Sequence, residues 1–487
     1  MLLKNIEEKN TRKDAKSGQC DALIQAGLGD RLLLATDEEY EPRIASWWSL
    51  SARLRPWCLV QPQDAGEVSA VMTALLGTEA GNGAGDWHIA IRAGGHGPRR
   101  SNNIDNGVTI DLGMLNQATY DAETNLASIG AGGRACWYLV AVTVTWVWAD
   151  FLGGGSTYFM GREAFACDSV RNFEVVLTNG TIVNANRGEN ADLWLALKGG
   201  GSNFGIVTRF DMEALPNKKL AYGNRFMSAD YSSDLVDVIV HFTDHYQEFE
   251  ADALVAFLMH NTSAFPVDVV AAAIHVNTDG IHKSAGFEKL NQIPSLIPDE
   301  TISISLADAA EDSQLPSGSW TAGATLTFKN DKRILTYAVE LHDRYVQDLN
   351  DAIGKDNFVT YAFFQPMPSF FGDISNKKGG NMLGMDSQAH NAILWTGGVA
   401  VTTNQEELAI AQTRMNAMVA ELRSFSVSLE ADSRLVYMNY ADLSQDPLRS
   451  YGEANVDHIS RVAAKYDPFG EFQRRFPGGF KISRVGV

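Results

Sequence analysis

The chain is poor in cysteine: it holds four, Cys20, Cys58, Cys136 and Cys167, and no two stand at CxxC spacing, so no metal site is expected. Cys20 and Cys58 would pair in an oxidising compartment. The opening stretch MLLKNIEEKNTRKDAKSG, however, is charged almost throughout and lacks the apolar core of a secretory signal, which makes two free thiols the expectation. On the same ground the default location is cytoplasmic, or secreted if the start is mis-assigned. Long apolar runs are lacking too. The most apolar uncharged run, ACWYLVAVTVTWVWA from Ala135 to Ala149, falls short of the ~20 residues that cross a bilayer, and its Val and Thr content suits a buried strand. No membrane partner is expected. Positive charge is scarce: 40 Lys and Arg face 59 Asp and Glu, for a formal net charge of −19, which argues against docking on nucleic acid or anionic lipid. No GxGxxG opens a βαβ unit with an acid about 20 residues on, so a Rossmann domain, and NAD with it, is not supported. There is no internal repeat and no low-complexity tract.

What the sequence does have is chain enough for two cores: 487 residues, 45% of them hydrophobic, an ordinary globular balance. YEPRIASWWSLSARL, from Tyr40 to Leu54, is an aromatic lead-in whose Trp47 and Trp48 read as packing residues. PWCLVQP is a short strand between prolines. A helix starts at Asp64, an acid at the N-cap with Glu67 three positions on, and carries Val68, Val71, Leu75 and Leu76 as its apolar face. Strands follow at HIAIR, VTIDL and LASIG. FEVVLTNGTIVNA is a hairpin about Asn179-Gly180, DLWLALK a short helix and FGIVTRFDM a returning strand. From about Glu213 longer helical patterns (LVDVIVHFTDHYQEF, ELAIAQTRMNAMVAELRSF) alternate with apolar strands such as DALVAFLMH and VVAAAIHV. The expected fold is α+β, a strand-rich first part followed by an α+β domain whose sheet is covered by helices on one face. His88, His260 and His275 sit in apolar strands and read as core residues.

Glycine is where the candidate chemistry gathers. In Arg92-Ala93-Gly94-Gly95-His96-Gly97-Pro98, consecutive glycines after a strand let backbone N–H groups converge on an anion, and a histidine at the lip of that nest can reach a ligand as base or nucleophile. A plain glycine turn with an exposed histidine is the alternative for this cluster alone. Further clusters stand at Gly130-Ala131-Gly132-Gly133, Gly153-Gly154-Gly155 and Gly199-Gly200-Gly201, each after an apolar run or a helix. Several such loops converging on one extended ligand suit a dinucleotide.

RAGGHGP, with NNIDNGVTIDLGMLN, GREAFACDSVRNFEVVLTNGTIVNAN, DLWLALKGGGSNFGIVTRF, QPMPSFF with GGNMLGM, and NYADLSQDP with PGGFK, resembles in family order the fungal berberine bridge enzyme-like FAD-linked oxidases. These share the vanillyl-alcohol oxidase and p-cresol methylhydroxylase-type fold. The resemblance implies a lead-in over 1–52, an FAD-binding domain in two subdomains over 53–215, an α+β substrate domain with an antiparallel sheet over 216–432, and a return to the FAD domain over 433–487. It implies FAD tethered covalently through His96, with cofactor contacts from Arg92, Gly94, Gly95, Gly97, Gly130, Gly132, Gly153, Gly154, Gly155, Gly205, Ile206 and Val207. Asp168 would lie near the ring-binding loops and Asn439 beside the isoalloxazine. Tyr440 would be the catalytic base, with Tyr361 and Gln365 on the substrate side. The implied activity is an oxidase of secondary metabolism that removes a hydride from a small organic metabolite and passes the electrons to molecular oxygen, giving hydrogen peroxide.

The match departs in two places. Between Arg134 and Gly153 the chain is shorter than the family pattern and carries no GGR…VGVGG loop. Cys136 lies too early to make the second, cysteinyl flavin bond found in some members, and reads as a core residue. After His96, Arg99 and Arg100 replace a small-residue pattern. Two other functions follow from these departures: a flavin-fold protein with a degraded cofactor site that serves as a binding or scaffold protein, and a redox-neutral cyclase that keeps FAD structurally.

Overall fold

The computed structural model describes residues 18–76, 88–97, 102–133 and 151–486. Cys136, Arg99, Arg100 and the run Ala135–Ala149 lie outside the described residues. The first sheet holds β1 (Leu32–Leu34), β2 (Cys58–Val60), β3 (Ile89–Arg92) and β4 (Val108–Asp111) in the order β1-β2-β4-β3, with β1 antiparallel to β2 and the rest parallel. The helix Ala65–Leu76 follows β2. Its entry is fixed by Asp64, whose Oδ1 accepts the Glu67 N–H at 2.8 Å, while the Glu67 carboxylate accepts the Gln63 N–H at 2.8 Å. Val68, Val71, Met72 and Leu75 of that helix pack with Val60, Ile89, Val108 and Ile110 in one core, each such side chain stabilising by roughly 1.5–3 kcal/mol.

The second sheet is antiparallel: β5 (Ala118–Asp121), β6 (Leu126–Gly130), β7 (Val170–Val176), β8 (Ile182–Asn186) and β9 (Ile206–Glu213), in the order β5-β6-β9-β7-β8. The expected hairpin about Asn179-Gly180 is the β7–β8 connection. The third sheet, also antiparallel, has β10 (Leu220–Ser228), β11 (Asp252–His260), β12 (Val270–Asn277), β13 (Ile302–Ile304), β14 (Trp320–Lys329), β15 (Phe358–Met367) and β16 (Ala392–Val401), in the order β13-β10-β12-β11-β15-β16-β14. The helices Ser232–His245, Lys332–Ile353 and Gln405–Ser428 pack against it. Side chains alternate across a strand, and β15 uses that period. Phe358, Ala362 and Phe364 enter the large core together with Leu341, Tyr345 and Leu408 of the helices, while Val359, Tyr361, Phe363 and Gln365 face a cavity. The α+β expectation holds: mixed sheets and helices, with the third sheet antiparallel and helix-backed.

Cys20 and Cys58, expected as free thiols, are disulfide-bonded. The helix Gly18–Leu23 lies against the helix Ala65–Leu76 and brings Cys20 over β2 with a Cα–Cα distance of 6.4 Å, inside the bridging range. Tertiary proximity decides the pairing here. His260 and His275 are buried core residues, His260 with both ring nitrogens bonded and His275 with Nδ1 left without a partner among the described residues. The His260 ring nitrogens meet the carbonyls of Asp268 and Lys355 at 2.5 and 2.9 Å, and His275 Nε2 meets the Thr301 hydroxyl at 3.2 Å. Among the described residues no helix is long and apolar enough to cross a membrane, and no acid, His and Cys group could hold a metal ion.

Candidate active site

A cavity of about 1970 Å³ lies between the glycine loops of the first two sheets and the face of the third sheet that carries Tyr361 and Phe363. Single ligand sites run to about 300–1,000 Å³, so this one has room for an extended cofactor and a substrate together.

One end is built of backbone. Gly94, Gly95, His96 and Gly97 follow β3, Gly130 closes β6, and Gly205, Ile206 and Val207 open β9; all line the cavity. A Cβ on Gly94 would meet nothing within 4 Å, whereas one on Gly95 would come within 2.8 Å of the Arg92 guanidinium, at a φ of +75°. The loop therefore rides on Arg92 and leaves its outer surface open. The C-terminal segment adds Gly478, Gly479 and Lys481 to the same wall, and Gly201 and Ser202 join from the loop after the helix Ala191–Leu197. Asn203 ties these two pieces: its Nδ2 donates to Gly200 O and Phe480 O at 2.8 and 3.0 Å, and its Oδ1 accepts from Ile482 N at 3.0 Å.

His96 stands at the lip of this wall. Its ring stacks on Trp48 with centroids 4.7 Å apart and planes 30° from parallel. Trp48, expected to be packing alone, is also a strap. Its N–H donates to Gly95 O at 3.3 Å, its Nε1 to Leu315 O at 3.1 Å, and its carbonyl accepts the Gly318 N–H at 3.0 Å. The lead-in thus holds the histidine loop against the segment preceding β14. The imidazole is exposed where it opens into the cavity, and the protein packed around it lowers its pKa by desolvation. A neutral ring with a lone pair is the form that acts as a nucleophile.

The other end is built of side chains. Phe226, Phe257, Met259, Phe265, Tyr361 and Phe363 make an apolar wall on the third sheet, with Tyr361 stacked on Phe363 at 5.5 Å and 12°. Tyr440 faces it. Burial pushes the Tyr440 hydroxyl up to about 12, partly offset by hydrogen bonding to Gln365 and Ser156. Tyr158 is likewise pushed up to about 12 by burial. Tyr222 donates to Asp312 Oδ2 at 2.7 Å, and Asn224 Nδ2 donates to the same oxygen at 2.9 Å. The sequence did not single out Tyr158, Tyr222 or Asp312, since nothing in their spacing brings them together.

Of the residues expected at the site, the cavity wall gathers Gly94, Gly95, His96, Gly97, Gly130, Gly205, Ile206, Val207, Asn439 and Tyr440. The others stand behind it. Arg92 is buried with its guanidinium 3.6 Å from the Trp47 ring centroid and 2.8 Å from the Ser46 hydroxyl. Gly132 lies where a Cβ would come within 1.8 Å of Leu112 O. Gly153 gives room to Asn439, whose Oδ1 would lie 1.8 Å from a Cβ there, and Gly154 and Gly155 pass beneath Tyr437 and the Ala166–Cys167 turn. Asp168 is buried between the second and third sheets' segments, accepting from Ser375 Oγ at 2.7 Å and Asn381 Nδ2 at 3.0 Å, with Lys198 Nζ at 3.8 Å. Burial raises its pKa and lowers that of Lys198, each countered by the other's charge.

No family model matches the chain. Over 488 residues it is 32% identical to the FAD-dependent monooxygenase drtC of Aspergillus calidoustus, covering 96% of this chain and 91% of that protein. It is 29% identical to the FAD-dependent monooxygenase sdcF of Emericella nidulans, covering 96% and 98%. Among solved structures the fold is similar to BBE-like 1 of Physcomitrella patens, with a TM-score of 0.72 at 16% identity over 95% of this chain and 99% of that one. It is similar also to 6-hydroxy-D-nicotine oxidase of Arthrobacter nicotinovorans, with a TM-score of 0.69 at 17% identity over 91% and 96%. A relative above 30% identity along nearly the whole chain, on a fold shared with these oxidases, places this chain in the family of berberine bridge enzyme-like FAD-linked oxidoreductases of p-cresol methylhydroxylase-type fold.

Proposed function

We propose that the chain carries FAD bound covalently at His96 and oxidises a small, largely apolar organic substrate held against the aromatic face of the third sheet, with oxygen as electron acceptor and hydrogen peroxide as product. The observation that carries this reading is that His96 and Tyr440 line one cavity whose first end is glycine backbone and whose second is aromatic. The residues present fit the cofactor. Converging glycines leave N–H groups facing an anion, Gly205, Ile206 and Val207 offer a flat strand start, and the neutral His96 imidazole is suited to bond an electrophilic methyl carbon. Bound there, FAD supplies a two-electron acceptor that oxygen can restore.

The protein's own part is placement and proton control. With its hydroxyl near 12, Tyr440 keeps its proton at neutral pH and donates a hydrogen bond from Oη to a substrate oxygen, so it orients the substrate as a donor where a base was expected. Gln365 and Ser156 line the cavity with it. Phe363, Tyr361 and Phe257 exclude water from the substrate and fix its plane.

The test is a visible spectrum of the purified protein and of the precipitate after acid denaturation, followed by oxygen uptake with the product assayed for peroxide. Flavin bands that stay with the precipitate, vanish from it in His96→Ala, and accompany one peroxide per oxygen consumed are the expected result. Flavin released to the supernatant would remove the tether. Labelled oxygen recovered in the organic product would replace the oxidase with a monooxygenase, the activity in the names of the two relatives. A protein that stays colourless when FAD is added would restore the scaffold reading.

A further inference from the structure

Among the described residues that line the cavity, the side chains able to carry charge are His96, Asp312, Asp442 and Lys481. Lys481 is the one fixed ammonium among them. It is also in an unusual position for a lysine: 3% exposed, on the glycine wall, next to Gly478, Gly479, Gly201 and Ser202. Among the described residues its Nζ has a single hydrogen-bond acceptor, Ser202 O at 2.6 Å, and the Phe472 ring centroid lies 5.7 Å away. An ammonium has three donors and no acceptor, so two N–H groups have no protein acceptor there.

A purely structural role does not account for this. The loop through Ser202 and the C-terminal segment are already fastened by Asn203, which bonds Gly200 O, Phe480 O and the Ile482 N–H and accepts from Gln473 Nε2 at 3.1 Å. A buried charge without a counter-charge is costly. The nearby carboxylate, Asp467, is occupied by the N–H groups of Glu471 and Phe472 at 2.9 and 2.7 Å. An anion brought in from the cavity would settle both the charge and the spare donors.

We propose that Lys481 is the cation that receives the diphosphate of the bound dinucleotide, supplying a positive charge to a cradle otherwise made of backbone N–H groups. The proposal rests on the cofactor reading above. Burial and the Arg484 charge push the empty-site ammonium down to about 7, with Asp467 opposing them. Contact with a phosphate raises it again, so nucleotide binding at pH 8 takes up a proton. No other charged group contributes to its shift.

The full-length chain carrying His96→Ala, in which a nucleotide binds reversibly and the His96 ring does not titrate, gives a direct test. FAD, ADP and adenosine are titrated into it with and without Lys481→Met. The expected result is a roughly 10–100-fold loss of affinity for FAD and ADP in K481M, the scale of one charge-assisted contact, with adenosine unaffected and K481R recovering most of the loss. Equal ADP affinity in the two proteins overturns the proposal. Should K481M fail to fold, calorimetry on the parent in buffers of different ionisation enthalpy decides: proton uptake with ADP at pH 8 and none with adenosine supports Lys481, and no uptake overturns it. If the parent binds neither FAD nor ADP, the cofactor reading falls and takes this proposal with it, an outcome distinct from normal binding that ignores Lys481.

Discussion

The cofactor end of the cavity is made of main chain. Gly94, Gly95, Gly130 and Gly205 contribute no side chain, and their neighbours lie so close that a methyl group has no place at Gly130, Gly132 or Gly205. The substrate end is made of side chains standing on β10, β11 and β15, where Phe226, Phe257 and Phe363 each face open space. The difference separates two kinds of tolerance. At Gly130, Gly132 and Gly205 the backbone wall accepts only glycine, because a Cβ within 3 Å of a carbonyl moves the chain. A wall of alternating strand residues can be re-lined without moving the strand. A family on this plan can change substrate while its cofactor site stays fixed.

Four substitutions would sharpen or break that contrast. Tyr440→Phe, at the junction of the two ends, should lower turnover by about 10²–10³-fold, the range for a lost hydrogen-bond donor at a reacting oxygen, with flavin content and melting temperature unchanged; loss of flavin in this variant would put Tyr440 at the cofactor end. Gly132→Ala, whose Cβ would meet Leu112 O at 1.8 Å, should cost about 3 kcal/mol of stability as an overpacked site and yield protein depleted in flavin, read by denaturant midpoint and by absorbance. Phe363→Ala should raise KM about tenfold, roughly 1–3 kcal/mol of apolar contact, and leave the flavin spectrum intact. A fully saturated flavin in G132A, or a bleached one in F363A, would end the distinction.

The smallest effect belongs to the seam between the halves. Arg162 bonds Asp279 and Glu250 at 2.8 and 3.1 Å, and Lys218 bonds Asp279 at 3.0 Å. Hydrogen bonds from Arg162 and Lys218 hold the Asp279 carboxyl down at about 2. A depressed carboxylate contributes stability that is present above its unfolded value near 4 and is lost as pH falls through about 2. Because these groups are solvent-screened, Arg162→Ala should cost less than ~1 kcal/mol at pH 7, less still in high salt, and nothing at pH 2, as measured by urea unfolding at each pH.

Much of this molecule was readable before its coordinates, and the readable parts are local. Asp64 and Glu67 announce a helix start because their hydrogen bonds span three residues, and Asn179-Gly180 announces a hairpin for the same reason. The cofactor wall was legible because a backbone nest needs glycine. Side chains brought together by tertiary folding were not. Tyr158, Tyr222 and Asp312 come from three separate segments, and Trp48 meets His96 because the lead-in turns back over β3. Arg92, beside a glycine cluster, and Asp168, expected near the ring-binding loops from the family pattern, both stand one layer behind the wall. The Cys20–Cys58 bond shows the same limit from another side: an inference about compartment was set against a proximity that the sequence does not display.

Trp48 and Lys481 stand on one wall although nearly the whole chain separates them. On a ribosome adding about 5–20 residues each second, the roughly 430 residues between them take about 20–90 s to make. For all of that time the histidine loop exists without the C-terminal part of its wall. A ligand that needs both Trp48's loop and the C-terminal segment can therefore be enclosed only after Lys481 has been made.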